Sequence, residues 1–359
     1  MFRGEIKKEE VEKAIARGRA EKRNEEIEYI RFAKPHKGIE RGTVITRGAI
    51  IWGYPHIKRI FRLETGITRN IRSNIFYVEE KIDGYNLRIA SVSGKPFAFT
   101  RGGYLDPFAT EKVREMPTIC AFFETYPDYV LCAEMIGNTP YTPPTEKFDI
   151  ALFIFDVDNG NGYLPPLQKY SILKKFGLKP ASLLGRFDKS QIAIVKKIAE
   201  NLNRGKREGI VIKSADRTDV VKFVTPFADV EDIEKCAYTF FDMPGGFFYQ
   251  RILRSAYFIN EFKLEQRKHA ELLGNAFYSG LSRAIKDVSE GRDVEEEFEI
   301  VVSDESIFDR IRAHIGKEVE VKVIFKRKER NRVRIRFSKV YKKTTKMLRM
   351  LYEGKGVID

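Results

Sequence analysis

Between residues 74 and 226 the chain alternates short apolar runs with polar breaks. The runs "NIFYVEEKIDG" (74–84), "NLRIASVSGKPFAFTRGG" (86–103), "YVLCAEMIG" (129–137), "IALFIFDVDNG" (150–160), "EGIVIK" (208–213) and "DVVKFV" (219–224) are rich in β-branched and aromatic residues. Gly, Pro, Asn and Asp bound them, so they predict strands of mostly antiparallel sheets. Helical spacing interrupts them at 106–126, where Pro117 breaks the element in two, and at 189–203. Upstream, residues 5–31 carry Glu and Lys or Arg at neighbouring-turn spacings and predict one charged helix, followed by a strand-and-loop stretch to about residue 70. After Pro226 the period changes: 229–240 and 247–290 predict helices, and "FFYQRILRSAYFINEF" (247–262) fits one buried face. Residues 298–302, 318–326 and 332–341 predict strands again, with "VEVKVIFKRKERNRVRIRF" (319–337) as a hairpin carrying a charged turn and one basic face. The expected class is α+β, antiparallel sheets flanked by helices, in modules at 1–60, 61–236, 237–292 and 293–359.

Composition narrows the partners. The 359 residues are 43% hydrophobic and 32% charged, the texture of a folded soluble chain. A net charge of +14 calls for an anionic partner such as nucleic acid or polyphosphate. Apolar runs such as "IALFIF" are too short to span a bilayer, and the first 34 residues hold no apolar signal core, so no membrane or secretory role is expected. Cys120, Cys132 and Cys236 are isolated, which argues against a disulfide framework or zinc site and for a reducing cytoplasm. Only four glutamines among many Lys, Arg and Glu point to a thermophile. His36, His56, His269 and His314 are scattered, so histidine-based catalysis is not expected.

The candidate chemistry centres on Lys81 in "KIDG". If the strand ends at Ile82, Asp83-Gly84 forms a turn and Lys81 projects beside it. An exposed hairpin lysine looks like this, and so does a lysine that attacks phosphorus as the neutral amine. The segments downstream, in order "FTRGG", "CAEMIG", "LFIFDV", "EGIVIK" and "VVKFV", add cations, carboxylates and rings near glycines or turns. Those are the parts of a nucleotide site: charge for phosphates, carboxylates for metal and ribose, a ring for the base.

This ordered set resembles the covalent nucleotidyltransferase superfamily of ATP-dependent DNA ligases, RNA ligases and mRNA capping enzymes. Within it the likeness is to archaeal ATP-dependent RNA ligases of the homodimeric type. DNA ligases usually carry arginine five residues after the nucleophile, where this chain has Asn86, and an OB domain after the last motif, where this chain has a helical stretch. The resemblance implies an ATP-grasp-like ligase core at 61–236, a helical dimerisation module at 237–292 and a basic C-terminal α/β module. It implies that Lys81 becomes lysyl-AMP, that Asp83 places it or the metal, and that Gly84 allows a tight backbone. Asn86 and Arg101 would bind ribose or phosphate, with Arg88 a further candidate. Glu134 would bind ribose or metal, Phe153 or Phe155 would stack on adenine, and Glu79 would help read the base. Glu208 would coordinate Mg2+ (or Mn2+), with Glu134 and Asp83 as further metal ligands; Lys213 and Lys222 would neutralise the α-phosphate. The expected partners are ATP, RNA ends and a second copy of the chain. The rival readings are a DNA ligase or GTP-using capping enzyme, and a non-catalytic RNA-binding protein on the same scaffold.

Overall fold

The computed structural model describes residues 6–145, 147–316 and 319–356. Glu5 and Glu318, the first residues of an expected helix and an expected strand, lie outside them. The N-terminal helix is shorter than its charge pattern suggests. α1 (Lys8–Ala16) stops before Gly18, whose φ is +61°. The rest of the expected helix is a hairpin, β1 (Ala20–Asn24) and β2 (Glu28–Phe32), in which Ala20 pairs with Phe32 and Asn24 with Glu28. The charges at 21–28 keep no clean period, and burial on both faces decides for the strand: Tyr29 packs in one apolar cluster and Phe32, on the opposite face, in another. β3 (Val44–Thr46) and β4 (Ala49–Ile51) complete this sheet. β5 (Lys58–Arg59) and the unexpected helix α2 (Leu63–Asn70) follow.

The central region is built on two further sheets. β6 (Ile75–Lys81) and β7 (Tyr85–Val92) flank Asp83-Gly84 but do not pair. The expected hairpin turn is instead a crossing from one sheet to the other. Gly84 is needed there for proximity, since a Cβ would lie 2.4 Å from the Met135 carbonyl oxygen. β8 (Lys95–Thr100) pairs with β7. The expected broken helix appears as α3 (Pro107–Arg114) and α4 (Pro117–Thr125), each with proline in its first turn; the Asp106 side chain caps α3 by accepting from the Ala109 amide at 2.8 Å. β9 (Val130–Gly137) and β10 (Ile150–Asp158) finish the sheet β10-β9-β7-β8. α5 (Pro166–Lys175), β11 (Leu183–Asp188), α6 (Ile192–Arg204), β12 (Gly209–Ser214) and β13 (Val220–Val224) follow. The second sheet runs β11-β6-β12-β13-β5, antiparallel except for the β13-β5 pair.

Each sheet buries its outer face under helices. Leu87, Ile89, Leu131, Ala133 and Ile154 pack with α3 and α4 through Phe108, Val113, Ile119 and Phe122. Phe76, Val78, Ile210, Ile212 and Phe223 pack with α2 and α6 through Leu63, Ile67, Val195 and Ala199. The period of two then leaves alternate residues of both sheets facing each other across a cleft.

The helical region begins with α7 (Pro226–Tyr238). The expected single stretch at 247–290 is two helices, α8 (Gly246–Phe262) and α9 (Gln266–Ser289), separated at Lys263, whose φ is +52°. The last sheet has order β14-β16-β15, from β14 (Glu295–Val302), β15 (Glu320–Glu329) and β16 (Arg332–Val340). α10 (Glu305–Ile315) lies between β14 and β15, and α11 (Lys342–Tyr352) closes the described chain. Among the described residues no helix is long and apolar enough to cross a membrane.

Candidate active site

Register places the site. Across the second sheet, Lys81 stands opposite Gly209, and Glu79 opposite Val211, which in turn faces Lys222. The cleft face of that sheet therefore carries Glu79, Lys81, Val211, Lys213 and Lys222. On the other sheet Asn86 stands opposite Glu134, and Glu134 opposite Phe153; Arg101 follows directly after Thr100, the partner of Leu87. Glu79, Lys81, Asn86, Arg101, Glu134, Phe155, Lys213 and Lys222 line one cavity between the sheets, together with Tyr54 and Ile57 from the preceding segment. A wider cleft of about 580 Å³ between α3 and the C-terminal sheet is lined by Lys112, Glu115 and Arg332. Its charges are already matched, Lys112 with Asp149 at 3.1 Å and Arg332 with Glu115 at 3.0 Å, and it holds no comparable reactive group.

The Lys81 Nζ lies 2.6 Å from the Glu208 carboxylate, and the two side chains are only 20% and 14% exposed. Burial alone would favour the neutral amine, but Glu208, Glu134 and Asp83 more than offset it and hold the Lys81 pKa above its ordinary value. Burial pushes the Glu134 and Glu208 carboxyls up to about 7 against the pull of Lys81. Lys222 is moved the other way, down to about 8, by burial and by Arg59, Lys81 and Arg101. Four cations thus converge on one small volume, an arrangement that a polyanion relieves. The Asn86 Oδ1 is buried without a hydrogen-bond partner among the described residues, which marks it as a group suited to a ligand.

The sequence-expected residues divide. Lys81, Asn86, Glu134 and Lys222 are turned to the cleft with capacity to spare, and exposed Arg101 stands at its rim. Asp83 is exposed and does not line the cavity; its carboxylate acts on Lys81 and also lies near Lys235, Asp232 and Glu231 of α7. Phe155 lines the cavity, whereas Phe153 does not and instead carries Lys179 over its ring at 4.4 Å. The register shift between Ile154 and Asp156 separates their roles, because Phe155 occupies the bulge. Arg88 is fully buried and donates to the carbonyls of Trp52 and Thr100, both at 2.8 Å, so it fixes the segment before Arg101 rather than facing a ligand.

Glu79 and Lys213 need correction. The Glu79 carboxylate accepts from Lys169 at 2.6 Å and Lys213 at 2.7 Å. Lys213 also donates to Asp156 at 3.0 Å and to the Phe155 carbonyl at 2.6 Å. The three Lys213 donors are engaged within this network, and each Glu79 oxygen already accepts from an ammonium group. The network continues through Asp156 to Arg217 at 2.6 Å and to the Tyr54 hydroxyl at 2.6 Å. Arg217 holds Asp156 far below the usual carboxylate range even though burial opposes it. The Tyr54 ring meets Phe155 edge-on at 5.2 Å. Tyr54, Asp156, Lys169 and Arg217 therefore shape the site and were not anticipated. A lone aspartate in "LFIFDV" was the visible signal, since a buried carboxylate needs a partner. Arg59 was missed as well; it pairs in register with Lys222, and its buried Nε has no hydrogen-bond partner among the described residues.

Among the described residues no three His, Cys, Asp or Glu come together as a metal cage. Glu208 and Glu134 are nevertheless hard oxygen donors on facing walls, a pair suited to a cation that draws further ligands from phosphate.

The comparisons with known proteins agree with this geometry. Residues 74–225 match the RNA ligase family, and residues 236–355 match the C-terminal region of ligase Pab1020. An uncharacterized protein of Methanocaldococcus jannaschii is 34% identical over 341 residues, 89% of this chain and 86% of its own. A putative ATP-dependent DNA ligase from Aquifex aeolicus superposes with a TM-score of 0.92 at 34% identity, covering 98% of this chain and 100% of that one. An archaeal ATP-dependent RNA ligase gives 0.88 at 28% identity over 98% and 97%.

Proposed function

The chain belongs to the RNA ligase family, and we propose that this ATP-dependent RNA ligase joins 5′-phosphate and 3′-hydroxyl ends through a covalent AMP on Lys81. The observation that carries the reading is the buried Lys81–Glu208 contact in a cavity of converging cations and one orphaned amide oxygen. Lys81 passes its proton to the Glu208 carboxylate 2.6 Å away and attacks the α-phosphorus of ATP; the P–N bond forms as the bond to pyrophosphate breaks. Lys222 and Arg101, with Arg59 beyond, offset the charge that gathers on the phosphate oxygens. Asn86 holds ribose or phosphate, and Phe155 backs the base. Glu208 and Glu134 would hold Mg2+ or Mn2+, which supplies charge neutralisation at the polyphosphate. AMP then passes to the RNA 5′-phosphate, and the 3′-hydroxyl displaces it. We place the enzyme in the cytoplasm as a homodimer. Exposed Tyr249, Ile252 and Tyr257 on α8 and Leu272, Tyr278 and Ile285 on α9 support that assembly. Light scattering should return twice the mass of the 359-residue chain; a monomer at micromolar concentration would refute the dimer.

The test is a mass measurement after incubation with ATP or GTP and a divalent metal. A gain of one AMP with ATP alone is expected, and no gain with either nucleotide would remove the reading. The structural likeness to a putative DNA ligase makes the second arm necessary. Sealing of 5′-phosphorylated RNA should exceed sealing of nicked DNA duplex.

The pH profile of adduct formation follows from the site. The rate should rise with pH as Glu134 and Glu208 ionise near 7 and as a growing fraction of Lys81, held above its ordinary value, loses its proton; above about 8 that rise should be opposed as Lys222 loses its proton. Lys222→Arg keeps the cation and should remove that opposition in single-turnover assays. If the alkaline limb is unchanged, it belongs to another group.

A further inference from the structure

The edge strand β15 is exposed along almost its whole length. From Lys322 to Lys328 every residue is exposed, including Ile324 and Phe325, which is 37% exposed. Its outer edge has no strand partner among the described residues, since the order is β14-β16-β15. Between 322 and 346 the sequence holds twelve Lys or Arg and a single acid, Glu329.

Most of the positive charge is matched near the centre of the sheet and left open at its rim. Arg334 pairs with Glu299 at 2.5 Å and with Glu329 at 2.8 Å, and Arg336 with Glu297 at 2.6 Å. Lys322 and Lys326 pair with Asp293 and Glu305. Arg327, Lys328 and Arg330 enter no ion pair among the described residues, and all three are exposed. Phe325 lies opposite Arg336 and Arg327 opposite Arg334, so ring and cation share one face. Arg330 takes the tight turn itself, at φ +53°. One open cation on the face of an exposed ring, with two more at the hairpin tip, suits single-stranded nucleic acid, in which phosphates are bound by charge and unstacked bases by aromatic faces.

We propose that the tip of the β15–β16 hairpin is an RNA-docking arm that holds the single-stranded portion of the substrate outside the nucleotide cavity. A second copy of the same strand is the poorer occupant, because edge pairing would bring like charges together. The sheet is fixed to the rest of the chain: Ser303 donates to Glu111, Arg332 pairs with Glu115, and Arg310 with Glu26 at 3.4 Å. The arm thus keeps one orientation relative to the core. The proposal rests on the ligase reading only for the identity of the nucleic acid.

The test uses the full chain carrying Arg327→Gln, Lys328→Gln and Arg330→Gln together, with Phe325→Ser as a second variant. All four positions are exposed, so folding is preserved. Adduct formation with ATP should match the wild type, which separates this result from failure of the ligase reading. The Kd for 5′-phosphorylated single-stranded RNA should rise at least about tenfold for the triple variant. The slope of log affinity against log salt should fall by about 2, close to 0.7 for each of three lost phosphate contacts. Phe325→Ser should weaken binding without changing that slope. Wild-type RNA affinity and slope in the triple variant would overturn the proposal, and so would a change in oligomeric state with RNA affinity intact, which would make the strand a contact between copies.

Discussion

Lys81→Ala should abolish the covalent AMP adduct, a fall on the order of 10⁴-fold or more in single-turnover labelling, because among the described residues no other amine pairs with Glu208 or Glu134. The nearest alternatives are engaged or remote in function. Lys213 is held by Glu79 and Asp156, and Lys222 stands beyond Val211 on the adjoining strand. The fold should survive. Glu208 would lose its partner, but burial already pushes its carboxyl up to about 7, and it can take a proton instead of remaining a stranded charge. Two measurements make the result specific. Circular dichroism should be unchanged, and sealing of RNA supplied already adenylylated should persist, since that step needs the phosphate-binding groups and not the amine. Labelled adduct on Lys81→Ala would remove the nucleophile assigned here.

Asp156→Ala should destabilise the protein by about 3–5 kcal/mol, the cost of breaking a buried ion pair from one side. The carboxylate is 1% exposed and accepts from Lys213, Arg217 and Tyr54. Removing it leaves the Arg217 guanidinium, nearly buried and always charged, with the neutral Tyr54 hydroxyl and the Tyr163 ring but no carboxylate partner among the described residues. The direction of the Asp156 shift fixes the pH dependence: its contribution is complete above the ordinary aspartate range and is lost only as pH falls through its depressed folded value. The double variant Asp156→Leu/Arg217→Met removes both charges and should recover much of the loss, which the coupling energy would reveal. A melting curve for Asp156→Ala that matches the wild type would show that the network does not act as a unit. The KM for ATP should also rise, because the same lysines hold the Phe155 carbonyl.

The motif-bearing strands were legible because the chemistry demands particular residues in a particular order. Lys81, Glu134, Glu208 and Lys222 emerged from "EEKIDG", "CAEMIG", "EGIVIK" and "VVKFV"; Lys81, Glu134 and Lys222 line one cavity, and Glu208 meets Lys81 at 2.6 Å. What escaped was partnership at long range. Asp156 meets Tyr54 across 102 positions and Arg217 across 61, and nothing in either neighbourhood shows which charge answers which. That is why Glu79 and Lys213 looked like ligand-binding groups when each already has the other. The Asp-Gly at 83–84 misled for a related reason: a turn signal reports local backbone freedom, not whether the flanking strands pair. The charged N-terminal segment looked helical locally, and only tertiary burial of Tyr29 and Phe32 in clusters on opposite faces made part of it a hairpin.

The crossing at Ile82–Gly84 has a thermal consequence. Lys81 and Asn86 stand on opposite walls but are tethered by four intervening residues, so their separation is bounded by covalent reach at about 3.5 Å per residue. The distance from Glu134 to Glu208 or Lys222 is held less directly, through the ladder pairs Asn86–Glu134 and Lys81–Gly209 and the packing between the sheets. Warming the enzyme toward its melting point should therefore blunt its grip on nucleotide, seen as a climbing KM, before it slows the adenylylation of the fraction that is still saturated.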